Sequence, residues 1–222
     1  MKYFFYWIIE VFLMVFHLPL SILNYILSFE TKQQSKYKTS VILVERWFRR
    51  NPLHFLMKMY LEKKGFDVYA INLPLLEGTF KDSGKKLQDY IEEKKLGDII
   101  LIGISGGGLS CYQYLCDFDG WKKTKMFIAV GAPFKGARLA KLMLFKTPRE
   151  DLMPGGPYIS SLLARPVQHP DKIYSIAAKY DQMVGHDESF LPGSHEITLD
   201  VVGHNLVHTL WYPTYKKNIR TY

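Results

Sequence analysis

The chain has 222 residues, of which 48% are apolar and 23% charged, and a formal net charge of +8. That length excludes a multidomain machine and suffices for a full hydrophobic core. The composition excludes a disordered chain and a polytopic membrane protein.

Residues 1–29 hold only Lys2 and Glu10, which cancel, so the positive excess belongs to residues 30–222. From Tyr3 to Phe29, 21 of 27 residues are apolar. Crossing a bilayer takes about 20. Only Lys2 precedes the run and no small-x-small site follows it, which argues against a cleavable signal. Glu10, His17, Ser21, Asn24 and Ser28 fall on one helical stripe. Pro19 is expected to kink the helix. Three readings stand: a spanning anchor, an interfacial hairpin broken at Pro19, or a hydrophobic helix docked on the body or on a second copy. Membrane association through residues 1–29 is the expectation. Lys32, Lys36, Lys38, Arg46, Arg49 and Arg50 follow. They favour the cytoplasmic side for a spanning segment, and anionic headgroups for a flat one. Residues 30–38 read as a polar linker and 39–222 as the body.

Within the body, strand and helix alternate. Strands are expected at Thr39–Val44, Phe66–Ile71, Asp98–Ile102, Lys125–Val130, Lys172–Ala177 and Glu196–Val201. Helices are expected at Pro52–Lys64 (ending at Gly65), Ser83–Lys95, 107–117 and about 205–220. Residues 131–170 read as irregular. Short, continuously apolar strands separated by helices point to a parallel α/β sheet covered on both faces. Cys111 and Cys116 do not share a helix face and read as buried thiols without a disulfide.

The third strand runs into Gly103-Ile104-Ser105-Gly106-Gly107, a G-x-S-x-G in strand–turn–helix context. Small neighbours let the next helix pack close and leave the Ser105 hydroxyl exposed on a strained turn. A serine nucleophile needs a base and the base an orienter. Asp181 follows the fifth strand and His204 the sixth, both at strand carboxyl ends where open parallel sheets bind ligands. Asp187 and Asp200 compete for the acid role. His208, one helical turn beyond His204, is read as holding the helix or lining the site, and His186 and His195 as loop residues.

With these motifs in order, residues 39–211 resemble the α/β-hydrolase superfamily, and within it the small bacterial triacylglycerol-lipase-like and esterase-like members. Further matches are Gly131-Ala-Pro-Phe-Lys-Gly136, Met153-Pro-Gly-Gly-Pro-Tyr158, Asp181-Gln-Met-Val184, Leu191-Pro-Gly-Ser194 and Val202-Gly-His204. The resemblance implies a minimal α/β-hydrolase: about six mostly parallel strands, helices on both faces and no inserted cap domain, to which the apolar run of residues 1–29 adds an N-terminal hydrophobic helix. It implies a serine carboxylester hydrolase using Ser105, His204 and Asp181, with no metal or cofactor. Such enzymes usually read His-Gly-x after the first body strand, and here Glu45-Arg46-Trp47 stands there. By position, Trp47 and Gly106 would supply the oxyanion-hole N–H groups.

The Leu139–Phe145 run would line an acyl pocket, form a small lid or simply cover the sheet. The leader and the basic surface would hold the site near a lipid pool, which favours a lipid or long-chain ester substrate. The Glu45-Arg46 departure keeps open a weak or inactive binding protein at a membrane. An acyltransferase using the same three residues is a further alternative. No nucleic-acid motif accompanies the basic charge.

Overall fold

The computed structural model describes residues 2–27, 38–46, 52–73, 79–143 and 146–208, the side chains of 14, 16–27, 52–56 and 147 excepted. In chain order these form α1 (Lys2–Leu27), β1 (Ser40–Arg46), α2 (Pro52–Lys63), β2 (Asp67–Asn72), α3 (Ser83–Glu93), β3 (Ile99–Ser105), α4 (Gly106–Asp117) and β4 (Thr124–Val130). There follow α5 (Lys146–Leu152), α6 (Pro157–Leu163), β5 (Ile173–Tyr180) and β6 (His195–Val202). Residues 204–208 are again helical.

The six strands form one parallel sheet in the order β2-β1-β3-β4-β5-β6. Strand burial follows from that order. Central β3 reads Ile-Ile-Leu-Ile-Gly-Ile and is buried throughout until Ser105. Edge strands β2 and β6 expose part of their length, because an edge strand is packed less completely.

Alternation along each strand divides the core in two. Ile42, Val44, Leu101 and Phe127 face one side, against Leu87 and Ile91 of α3, Leu109 and Tyr112 of α4 and Leu162 of α6. Val41, Leu43, Ile100 and Ile128 face the other, against Met57 and Leu61 of α2. Each such fully buried side chain contributes about 1.5–3 kcal/mol. Helix α2 stops where expected. Gly65 takes φ +97°, and Phe66 N–H returns to the Leu61 carbonyl, a left-handed stop that glycine adopts without strain.

Three expectations are corrected. Residues 131–170 hold two helices, α5 and α6, as well as loops. Each is only seven residues long, too short for apolar periodicity to stand out among prolines and glycines. The hairpin reading falls, because α1 continues as one helix through Pro19. No helix among the described residues is long and apolar enough to cross a membrane. Helix α1 lies instead on the body, against β6 and α2. Tyr6 packs on the α2-side core, and Glu10, only 2% exposed, turns inward. The charge that made unassisted spanning costly is the group that docks the helix. The linker, apart from Lys38, and the last expected helix from residue 209 onward lie outside the described residues.

Candidate active site

Ser105 closes β3 and precedes α4. Its backbone sits at φ +51°, ψ −126°, a conformation that costs a non-glycine residue on the order of 1–3 kcal/mol. The surrounding glycines are required by space. A Cβ on Gly103 would stand 2.6 Å from the Gly108 Cα, and one on Gly107 would overlap the Val44 carbonyl oxygen. Without side chains there, α4 starts directly over β1 and β3.

Asp181 lies just past β5. One of its carboxylate oxygens accepts the Met183 and Val184 N–H groups at 2.7 and 2.9 Å. The other faces His204 Nδ1 at 2.7 Å. Gly203 N–H donates to the Tyr180 carbonyl at 2.7 Å, which ties the ends of β5 and β6 and brings His204 beside Asp181. His204 Nε2 lies 3.0 Å from Ser105 Oγ. The imidazole and carboxylate are 6% and 1% exposed. Gly131 leaves room for the ring, since a Cβ there would stand 3.3 Å from His204 Cε1.

Burial pulls the His204 imidazole down. The Asp181 charge and hydrogen bond, with a further contribution from Glu10, outweigh it, so the group titrates above its ordinary value. With Asp181 behind it and Ser105 ahead, the ring can take a proton from the hydroxyl and pass it on.

The competing residues lie elsewhere. Asp187 is exposed and bonds His186 Nδ1 at 2.7 Å. Asp200 pairs with Lys2 and Tyr3 of α1, both at 2.7 Å. Those hydrogen bonds hold its carboxyl down to about 2. His186 also meets the Thr198 hydroxyl. His195 opens β6 and stacks on Tyr174. His208 is buried, its ring 4.3 Å from that of His204.

Of the two expected oxyanion donors, Gly106 opens α4 directly after Ser105. Trp47 lies outside the described residues. Glu45 and Arg46, where His-Gly is usual, are the buried last residues of β1. Arg46 is in register with Ser105, and its guanidinium stacks 4.2 Å over the Phe80 ring. In the Leu139–Phe145 run, Leu139 and Leu142 are exposed and Ala140 is buried.

The sequence reading missed the part played by Glu10 and Gln182. The Gln182 side chain accepts the His204 N–H at 3.1 Å and donates to Glu10 at 2.6 Å. The available signal was a single carboxylate in a long apolar run.

No protein-family model matches the sequence, and no curated protein matches it. Solved structures do match. The mature lipase BlEst2 of Bacillus licheniformis superposes with a TM-score of 0.66 at 16% identity, over 85% of this chain and 94% of that one. The chain spans 51% of that lipase's propeptide form. Mouse alpha/beta hydrolase domain-containing protein 10 gives 0.63 at 14% identity, over 85% and 92%. The chain has the α/β-hydrolase fold. The α/β-hydrolase sheet here also matches the carboxylesterase CesB of Bacillus subtilis, with a TM-score of 0.57 at 12% identity, over 93% and 96%. Within this α/β-hydrolase fold, Ser105, Asp181 and His204 meet at the carboxyl ends of β3, β5 and β6.

Proposed function

We propose that the protein is a serine carboxylester hydrolase acting on a lipid or long-chain ester. Ser105 Oγ attacks the ester carbonyl while His204 Nε2 takes its proton, with Asp181 fixing the tautomer. The tetrahedral intermediate collapses, and His204 returns the proton to the departing alcohol. Water, deprotonated by His204, then attacks the acyl-enzyme. Its hydroxyl adds to the acyl carbon, the bond to Ser105 Oγ breaks as His204 returns the proton to that oxygen, and a carboxylic acid leaves. Gly106 N–H and the N–H of Trp47 are the proposed oxyanion donors.

The observation that carries the reading is the unbroken relay from Ser105 to Asp181, at 3.0 and 2.7 Å, with the serine on a strained elbow. The lipases and carboxylesterases that share the fold support the ester class. A fluorophosphonate probe tests it. Wild type should be labelled and Ser105→Ala should not. An unlabelled wild type would leave the protein an inactive relative.

The lipid preference rests on α1. On the side of the helix turned away from Glu10, Phe5, Phe12 and Val15 are 61%, 52% and 66% exposed. A row of this kind suits shallow insertion at a membrane surface. The lysines and arginines after residue 30 suit the anionic cytoplasmic leaflet. Peripheral attachment there is part of the proposal.

A further inference from the structure

We propose that Glu10 is a positioning residue for the hydrolytic relay: its buried carboxylate, carried in on α1, clamps the loop bearing Asp181 to the segment bearing His204. This rests on the hydrolase reading above and deepens it. One Glu10 oxygen accepts the Asn205 backbone N–H at 3.0 Å, the Asn205 side-chain amide at 2.9 Å and the Gln182 amide at 2.6 Å. The other accepts the Leu206 N–H at 3.1 Å. The Gln182 oxygen in turn accepts the His204 N–H at 3.1 Å. One carboxylate thus reaches the residue after Asp181 and the two residues after His204.

Space at the contact is made by glycine. Gly203 immediately precedes His204, and a Cβ on it would overlap the Glu10 carboxylate. The same residue adopts φ +118°, so any side chain is excluded twice over.

Helix α1 packs toward the acid loop through Tyr3, edge-on against Tyr180 at 5.5 Å. A cleft of about 370 Å³, lined by Trp7, Glu10, Val11, Tyr180, Gln182 and Val202 among others, opens between them. The charge-assisted hydrogen bonds of Glu10 bridge that cleft. At its amino end α1 is fixed separately, by Lys2 and Tyr3 on Asp200. Docking of α1 is thereby coupled to the relay geometry. A displacement of about 1 Å in such a constellation costs on the order of a hundred-fold in rate.

The charged and titratable groups facing His204 are Asp181 from the loop after β5, Glu10 from α1, Ser105 from the end of β3, and His208 from its own segment. Glu10 and Asp181 are the two carboxylates, and both favour the imidazolium. Removing the Glu10 charge should therefore move the acid limb of the pH profile downward, an effect that simple loss of packing would not produce.

The test uses the full chain, p-nitrophenyl butyrate as a small soluble ester, and fluorophosphonate labelling. Wild type, Glu10→Gln, Glu10→Ala and Gln182→Ala are assayed well below each thermal midpoint. Glu10→Ala should lower kcat by about a hundred-fold with KM little changed. Glu10→Gln, whose oxygen can still accept from Asn205 and Gln182 but whose NH2 would face the Leu206 N–H, should keep more kcat than Glu10→Ala while its acid limb stays below that of wild type. Gln182→Ala should lower kcat in the same direction as Glu10→Ala. If Glu10→Ala does not fold, Glu10→Gln and Gln182→Ala still decide the matter. A wild type labelled through Ser105, with Glu10 variants within about twofold in kcat and an unmoved acid limb, overturns the clamp alone. A wild type not labelled through Ser105 overturns the hydrolase reading, and the clamp with it.

Discussion

Ser105, Asp181 and His204 are distant in sequence, yet each is legible as a candidate because each stands at or just past the carboxyl end of an expected strand. What the sequence does not contain is their mutual distance. Asp181 and Asp187 differ by six positions, and only the turn that fixes Asp181 on two backbone N–H groups separates them. The raised His204 value leads to a pH prediction. The base must be neutral to act, so kcat/KM on a soluble ester should rise with pH along a limb lying above the ordinary imidazole value of 6.5. Stability runs the other way. A group whose folded value is raised stabilises the fold fully below 6.5 and ceases to do so as pH rises through the folded value. Thermal midpoints of wild type and His204→Ala should therefore differ in their pH dependence across that window. A limb at or below 6.5 would mean that Asp181 does not govern His204 in solution.

At the scale of elements, the parallel sheet was legible from six short apolar runs, because strands buried on both faces carry few polar residues. The helices of residues 146–163 were not, since two turns of helix carry too little periodicity. The junction of β3 and α4 is the element on which the site depends. Gly107→Ala pushes a methyl group into the Val44 carbonyl. The expected result is about 1–3 kcal/mol lost in denaturant unfolding, together with about a hundred-fold lower kcat as the elbow moves. An alanine variant of unchanged stability would show that α4 has room to shift.

At the scale of the whole molecule, the leader was legible as an apolar helix, with docking on the body among its readings, but the strand it lies along was not. Its exposed row makes a separate prediction. The full-length protein should co-float with anionic phosphatidylglycerol vesicles. A Phe5→Ser, Phe12→Ser, Val15→Ser variant should stay with the soluble fraction while keeping wild-type turnover of a soluble ester, because Glu10 is untouched. Equal flotation of both proteins would remove α1 from the membrane contact. Salt at 1 M should weaken flotation of the wild type to the extent that the basic residues contribute, since screening shortens their reach from about 8–10 Å to about 3 Å.

The sequence by itself determined the class of fold, the turn that carries Ser105 and the order of the candidate residues, because these are local: apolar runs, a glycine-framed serine, polar residues after strands. Only the tertiary structure decided which acid faces which histidine and where Glu10 goes. Those depend on contacts across 23, 99 and 195 positions of chain, distances over which no local pattern of residues carries information. Glu10 is the clearest case. In the linear chain it is a charge misplaced in an apolar run, and in the folded molecule it is the acceptor for four donors beside His204.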